Sequence, residues 1–381
     1  LYYYPMDLFD GHVYAKGSLI INMIHDLLGS DAFSRGIRHY TQINQFKNVE
    51  TQDLKKSIEE TTGQNLDWFF KQWLYEPGYP EYDVKWSYNQ RNRTLQLNVK
   101  QKQDLNKTGL FQMPVDIRID EKIHTMWIDK KDVVLELPVE SKPRMVIFNA
   151  GMRIPCKVSF NKSISEWIIQ LEEGPHVLDR IAAINVLKDK KGRRNVENAL
   201  LKSIKSDSFW GVRKEAVYGL KKLKPKKYAK ELIELSEGQD NRTRRAIWSA
   251  LRNYKNNNDV SIFLQEIIAT DLKYYSVSDA FKSLVAIDTS AARKVVENLL
   301  NRDSHSDVIR RSAITYFGSV KNDYNYKRLK NLAAYGGTTW DARSEAVSQL
   351  QKYVKDNKET LDLFVEFLGD RSRDVRRRSI R

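Results

Sequence analysis

Along the second half of this 381-residue chain a small residue is followed four places later by a large apolar one, again and again, and no other feature restricts the fold as tightly. The pairs are Ala183/Leu187, Ala216/Leu220, Ala280/Leu284, Ala313/Phe317 and Ala346/Leu350. Ala246 keeps the small position with Leu251 one place late, and Ser379 stands where a further unit would fall. Successive small residues are 33, 30, 34, 33, 33 and 33 positions apart. An Arg or Asp usually precedes them, as in Val212-Arg213, Arg244-Arg245, Arg310-Arg311 and Asp341-Ala342-Arg343. A helical pattern with such a period predicts a solenoid, in which each helix pair buries its apolar face against its neighbours. The small side chain lets adjacent helices approach, and the apolar residue one turn later fills the groove of the next repeat. An irregular helical bundle with coincidental spacing is the competing reading.

These units resemble HEAT repeats, and they predict a helical-repeat domain over residues 163–381. Two regions of different period precede it. Residues 1–80 read as helical. Leu19, Ile20, Met23, Ile24, Leu27 and Leu28 fall at the three-four spacing of one buried helix face, closed by Gly29. Asp31, Thr51 and Asn65 are candidate caps of three further helices, and Gly63 stops the second of these. Pro77-Gly78-Tyr79-Pro80 ends helical structure. Over 81–162 the period becomes two, as in Thr94–Lys100 and Val115–Asp120, with apolar runs at Val133–Val139 and Met145–Phe148. Short alternating strands at close spacing predict a small antiparallel β-sandwich.

The length suits two or three domains, and 41% hydrophobic with 30% charged residues suits a folded, water-exposed protein. No stretch approaches the roughly 20 apolar residues of a membrane-spanning helix, and no signal peptide is visible at Leu1-Tyr2-Tyr3-Tyr4-Pro5. With no initiating Met, the chain is expected to start inside a longer protein. The single Cys156 excludes an internal disulfide. Net charge is +15, much of it in runs such as Lys221–Lys227 and Arg376-Arg377-Arg378 that suit solvated helix faces. No nucleic-acid-binding motif accompanies the charge, so no nucleic-acid partner is expected.

No complete catalytic site is present in the sequence. His12, His25, His39, His124, His176 and His305 include no two at the four-residue spacing that sets both on one helix face for zinc. H-E-x-x-H, G-x-x-x-x-G-K and G-x-S-x-G are all missing. His25 and His39 read as structural residues of amphipathic helices, and Cys156 as a small buried apolar group.

What is specific lies in residues 1–80. Tyr14-Ala15-Lys16-Gly17 is followed in order by Gly29, Phe33, Tyr40, Asn48, Thr51-Gln52-Asp53-Leu54 and Gly63, and then by Trp73-Leu74-Tyr75-Glu76-Pro77-Gly78-Tyr79-Pro80. The set resembles the Y-x-K-G segment and the W-L-x-x-P-G-x-P ending of the catalytic domain in the zinc aminopeptidases of the aminopeptidase N type (gluzincins), to which leukotriene hydrolase also belongs. The resemblance implies a multidomain, mainly α chain: the helical end of a thermolysin-like catalytic domain at 1–80, the antiparallel sandwich at 81–162 and the HEAT-like α-solenoid at 163–381. It implies peptide substrates, from which N-terminal residues are removed, and zinc in the parent protein. The family's zinc ligands and general base should lie upstream of Leu1, so no metal or cofactor residue is assigned and this chain alone is expected to be inactive and metal-free. One functional residue of the family maps here. Tyr14 takes the place of its tyrosine, whose implied role is to donate a hydrogen bond to the charged oxygen of the reacting carbonyl. Lys16 and Gly17 read as structural, a helix-start cation and a close-packing position. Tyr2, Tyr3 and Tyr4 are candidates for a pocket wall or an adjacent turn. The alternative to an enzyme is a non-catalytic relative whose solenoid serves as a protein-binding scaffold, for which the basic excess would suit an acidic partner.

Overall fold

A computed structural model describes residues 8–224, 227–355 and 358–380, in which helices, strands and helices follow one another in that order. The chain divides into two compact units, Leu1–Ala183 and Ile184–Arg381.

In the first unit a π-helical turn, His12–Lys16, runs without a break into α1 (Gly17–Leu28). Then come α2 (Ser30–Ile43), α3 (Thr51–Thr62) and α4 (Asp67–Phe70), the last ending in a second π-helical turn at Lys71–Tyr75. Gly29 both closes α1 and opens α2, and its φ of +79° is one that L side chains rarely adopt. Ile20, Met23 and Ile24 of α1 are buried, and Leu27 and Leu28 pack partly against the same core. Leu19, expected on that face, is exposed. At 100° per residue it lies at the far edge of the stripe centred on Ile20 and Leu27. The caps also differ from expectation, by two residues at α2 and by one at α3 and at α4, where Leu66 rather than Asn65 takes the N-cap. Glu50 rather than Thr51 takes the N-cap of α3, its N–H donating to Asp53 Oδ2 at 2.7 Å. Gly29 takes the N-cap of α2, leaving Asp31 in the first turn.

Among the described residues seven strands form two sheets. They are β1 (Glu81–Asn89), β2 (Thr94–Gln101), β3 (Met113–Ile119), β4 (Lys122–Ile128), β5 (Asp132–Pro138), β6 (Val146–Phe148) and β7 (Lys157–Phe160), with one short helix, α5 (Leu105–Thr108), between β2 and β3. The four-stranded sheet has the order β5-β2-β1-β7 and the three-stranded sheet β4-β3-β6. Every other residue of β3 is buried, as the alternation predicted. All pairings are antiparallel but one: β7 lies parallel to β1, with Glu81 opposite Lys157. The chain crosses from the second sheet to the first between β6 and β7 and so enters beside β1 from the same end. Helices and sheets share one core, in which Ile24, Ile58, Phe69 and Trp73 cluster with Val84, Leu97, Val115 and Ile117. Helix α6 (Ile164–Glu173), capped by Ser163, follows β7, and α7 (Val177–Leu187) runs across the boundary between the units.

The second unit continues with α8 (Arg194–Ser206), α9 (Trp210–Leu223), α10 (Ala229–Leu235), α11 (Asn241–Leu251), α12 (Asn258–Thr270), α13 (Tyr274–Ile287), α14 (Thr289–Leu300), α15 (Val308–Ser319), α16 (Asp323–Ala333), α17 (Trp340–Leu350), α18 (Lys358–Phe367) and α19 (Arg373–Ser379). Each even-numbered helix packs on the odd-numbered one after it, and α9, α11, α13, α15, α17 and α19 stack in sequence. Ala216, Ala246, Ala280, Ala313 and Ala346 all sit in this stack at 0% exposure, as a repeat of small residues at the helix crossing requires. The arginine three places before the small residue has a separate task. Arg213, Arg310, Arg343 and Arg376 each donate to a carbonyl at or just beyond the end of the preceding helix, for example Arg213 to Asp207 O at 2.7 Å and Arg310 to Leu300 O at 2.7 Å. Those carbonyls have no partner inside their own helix, and the local dipole is negative there.

Candidate functional site

Tyr14 stands in the π-helical turn ahead of α1. The turn closes through Lys16 N–H donating to Gly11 O at 3.0 Å, a five-residue step, while Tyr14 N–H donates to Asp10 O at 3.3 Å. Such turns widen a helix locally and are frequent where a side chain must be aimed. Below Tyr14 the helix is anchored by Ile20, Met23 and Ile24 in the core, which fixes the backbone that carries the phenol. The Tyr14 side chain itself points away from that core, at 64% exposure, with the Phe9 ring tilted beside it at 6.2 Å between centroids. An exposed hydroxyl on a fixed helix start is free to donate to a ligand oxygen, and donation is its chemical capacity here.

The other residues singled out from sequence fall apart from it. Gly17 does not serve close packing: a Cβ there would meet nothing within 4 Å among the described residues. Lys16 is half-buried at the start of α1. Tyr2, Tyr3 and Tyr4 lie outside the described residues. His25 bonds Ser30 Oγ at 3.1 Å and meets the Phe33 ring edge-on, His39 bonds Glu60 at 3.1 Å, and His176 Nδ1 accepts from Leu178 N–H. Among the described residues no group of three or more His, Cys, Asp or Glu side chains is placed to hold a metal ion. The donor set for zinc is therefore not offered by these residues, and no step through a metal is derived from them. Cys156 is largely buried beside Asn149, and burial pushes its thiol up to about 12, so it stays protonated at neutral pH.

The W-L-Y-E-P-G-Y-P stretch joins α4 to the sandwich. Trp73 Nε1 donates to Met113 Sδ at 3.4 Å, and Gly78, at φ +92°, faces Thr108 so closely that a Cβ would come within 2.4 Å of its methyl. A feature that the sequence did not reveal lies nearby, a cleft of about 350 Å³ lined by Met23, Leu27, Met113 and Ile154 with Asp26 and Asp116. The Arg153 guanidinium reaches towards both carboxylates, at 3.8 Å from Asp26 and 3.5 Å from Asp116. Tyr14 is not among its lining residues. Residues 26, 116 and 153 are too distant in sequence for any spacing argument to have joined them.

The profile of the peptidase family M1 domain matches residues 4–73, the stretch that holds Tyr14, and that of HEAT repeats matches 164–252 and 196–280. The chain is a relative of the M1 aminopeptidases. A probable aminopeptidase 1 from Sulfurisphaera tokodaii is 31% identical over 134 residues, 34% of this chain and 16% of its own length. Aminopeptidase N from Lactococcus lactis is 39% identical over 74 residues, 19% of this chain and 9% of its own. A leucyl aminopeptidase from Saccharolobus solfataricus is 25% identical over 316 residues, 76% of this chain and 36% of its own. The chain thus spans well under half the length of these M1 relatives. The crystal structure of Legionella pneumophila aminopeptidase A in complex with aspartic acid has the same fold over 100% of this chain and 48% of that one, with a TM-score of 0.63 at 14% identity. The multidomain, mainly α architecture with its small β region and HEAT-like repeats is therefore that of an M1 relative.

Proposed function

We propose that this chain is the downstream part of a zinc-dependent aminopeptidase that hydrolyses N-terminal residues from peptides, with Tyr14 as the donor to the reacting carbonyl. On this reading residues 1–80 complete the catalytic domain, 81–162 form the sandwich and 163–381 the repeat domain. The observation that carries the proposal is the setting of Tyr14: an exposed phenol on a π-helical turn, held by a core-anchored helix, inside the segment matched by the M1 profile. Nucleophilic addition to a peptide carbonyl places negative charge on its oxygen. A phenol O–H already aimed at that position stabilises the charge without reorganising, and loss of one such donor typically costs about 3 kcal/mol of transition-state stabilisation. The zinc, its ligands and the general base belong to the parent protein, because the sequence holds no H-E-x-x-H. The chain by itself is then expected not to cleave aminoacyl reporter substrates.

The test is Tyr14→Phe in the full-length parent. The expected result is a kcat lower by roughly two to three orders of magnitude, with KM and zinc content nearly unchanged. A near-normal kcat would return Tyr14 to a structural role.

A further inference from the structure

Three consecutive repeats of the second unit each turn a cation to one face, and the direct partner of the first two is a neutral hydroxyl of the next repeat. Lys221 Nζ on α9 donates to Ser249 Oγ on α11 at 2.6 Å. Arg252 Nε, at the end of α11, donates to Ser283 Oγ on α13 at 3.0 Å. Lys282, beside Ser283, continues the row into solvent. Two carboxylates act on the row, and both are already engaged: Asp279 by Arg245 at 2.6 Å, whose guanidinium lies over the Tyr275 ring, and Glu345 by Arg311 at 3.4 Å. Among the described residues no ion pair joins Lys221, Arg252 or Lys282 to a carboxylate.

This arrangement is unfavourable as it stands. Lys221 and Arg252 are half-buried, and burial followed by the charge of Arg252 lowers the Lys221 pKa. The Lys282 side chain reaches solvent, but the packed groups around its stem lower its pKa, with Arg252 and Arg311 adding to the shift and Asp279 and Glu345 opposing it. Like charges brought together with part of their water removed favour an anion, which restores by direct contact the solvation that each has lost.

We propose that the Lys221–Arg252–Lys282 row is a docking surface for an acidic, extended polypeptide segment. The spacing selects the form of the segment. Packed helices lie roughly 8–10 Å apart, so successive repeats offer a cation at about that interval. A polyproline II chain turns once in three residues and rises about 3.1 Å per residue, which sets every third side chain on one side about 9 Å apart. Carboxylates at every third position of such a segment therefore meet one repeat each. The surface lies wholly in the second unit and needs no residue of the peptidase-like segment.

Fluorescence anisotropy of a labelled peptide of Glu-Pro-Ser repeats, titrated with the full chain at low salt, tests this. Binding is expected to weaken with added salt. It should also weaken roughly tenfold or more in the Lys221→Gln, Arg252→Gln, Lys282→Gln triple variant. Lys282→Glu, at an exposed position, should weaken binding as well, whatever the fate of the triple variant. A Gln-Pro-Ser peptide should not bind. Equal binding of that neutral peptide, unchanged affinity in folded Lys282→Glu, or displacement of the acidic peptide by a lower concentration of single-stranded oligothymidylate would each overturn the proposal, the last in favour of a nucleic-acid surface.

Discussion

The side-chain amide of Gln72 is hydrogen-bonded in both directions to the backbone of Gln112: Nε2 donates to the carbonyl at 2.9 Å, and Oε1 accepts from the N–H at 3.0 Å. The amide thus imitates a strand partner just ahead of β3, and it ties the end of the helical segment to the sandwich. Gln72 is itself only 5% exposed, so water cannot readily replace it.

Gln72→Ala is expected to lower stability by about 1–3 kcal/mol, since it leaves a backbone donor and acceptor without their partner. Gln72→Glu should recover only the half in which the side chain accepts from Gln112 N–H. Urea unfolding followed by tryptophan fluorescence measures both.

Arg343 holds two repeats at once. Nε donates to Ala333 O at 2.8 Å, and the two Nη groups grip both oxygens of Asp370. The arginine hydrogen bonds, ahead of the Ser372 N–H and against the effect of burial, hold the Asp370 carboxyl below its usual value. The folded state therefore binds its proton less readily than the unfolded chain. The stabilisation is complete above the unfolded value of about 3.9 and is lost as pH falls through the folded one. Arg343→Ala is expected to cost about 3–5 kcal/mol, because it strands a partly buried carboxylate. It should also flatten the acid limb of the unfolding profile, which a pH series of thermal melts would reveal.

Arg302 occupies a place that the repeat pattern left empty. Where Arg213, Arg310, Arg343 and Arg376 cap the preceding helix, the third repeat has buried Thr243 and the fourth buried Val277, and the end of α12 is served instead by Arg302 of the next repeat. Its Nη1 donates to Ile268 O and its Nη2 to Asp271 O, both at 2.9 Å. Arg302→Met should cost about 1.5–3 kcal/mol. Hydrogen exchange should show lost protection around α12 and α13 rather than across the whole chain.

Lys162 lies where β7 gives way to α6. Its ammonium donates to Val146 O at 2.8 Å and to Gln170 Oε1, and it sits 4.4 Å from the centre of the Trp167 ring. Burial pushes its pKa down to about 8, outweighing the charges of Glu166 and Asp179. Between about pH 8 and the unfolded value of about 10.4 the unfolded chain binds the proton more readily, so stability rises with pH through that window. The difference in stability between the wild type and Lys162→Met, measured by urea unfolding, should shift towards the wild type from pH 7.5 to pH 10 by roughly the span of that window.

How much of this was legible differs from part to part. The positions of Ala216, Ala246, Ala280, Ala313 and Ala346 in the helix stack could be read because the demand for a small side chain returns with each repeat. Tyr14 could be singled out because it belongs to a run of neighbouring residues. The burial of Ile20 and Ile24 followed from spacing along one helix, whereas Leu19 did not, since the width of a buried stripe depends on what packs against it.

By itself the sequence determined the period of each region, the order of helices and strands, the inward side of β3 and of the stacked repeat helices, and the kinship with the M1 aminopeptidases. Only the tertiary structure decided that β7 joins β1 in parallel, that Gln72 closes on Gln112, that Asp26 and Asp116 share Arg153, and that Arg302 stands in for an arginine absent at Val277. The physical reason is range. Periodicity and capping act within a few residues and leave a mark at fixed spacing. A buried carbonyl, N–H or charge accepts any suitable partner that folding brings near, and nothing in the local sequence specifies which one that will be.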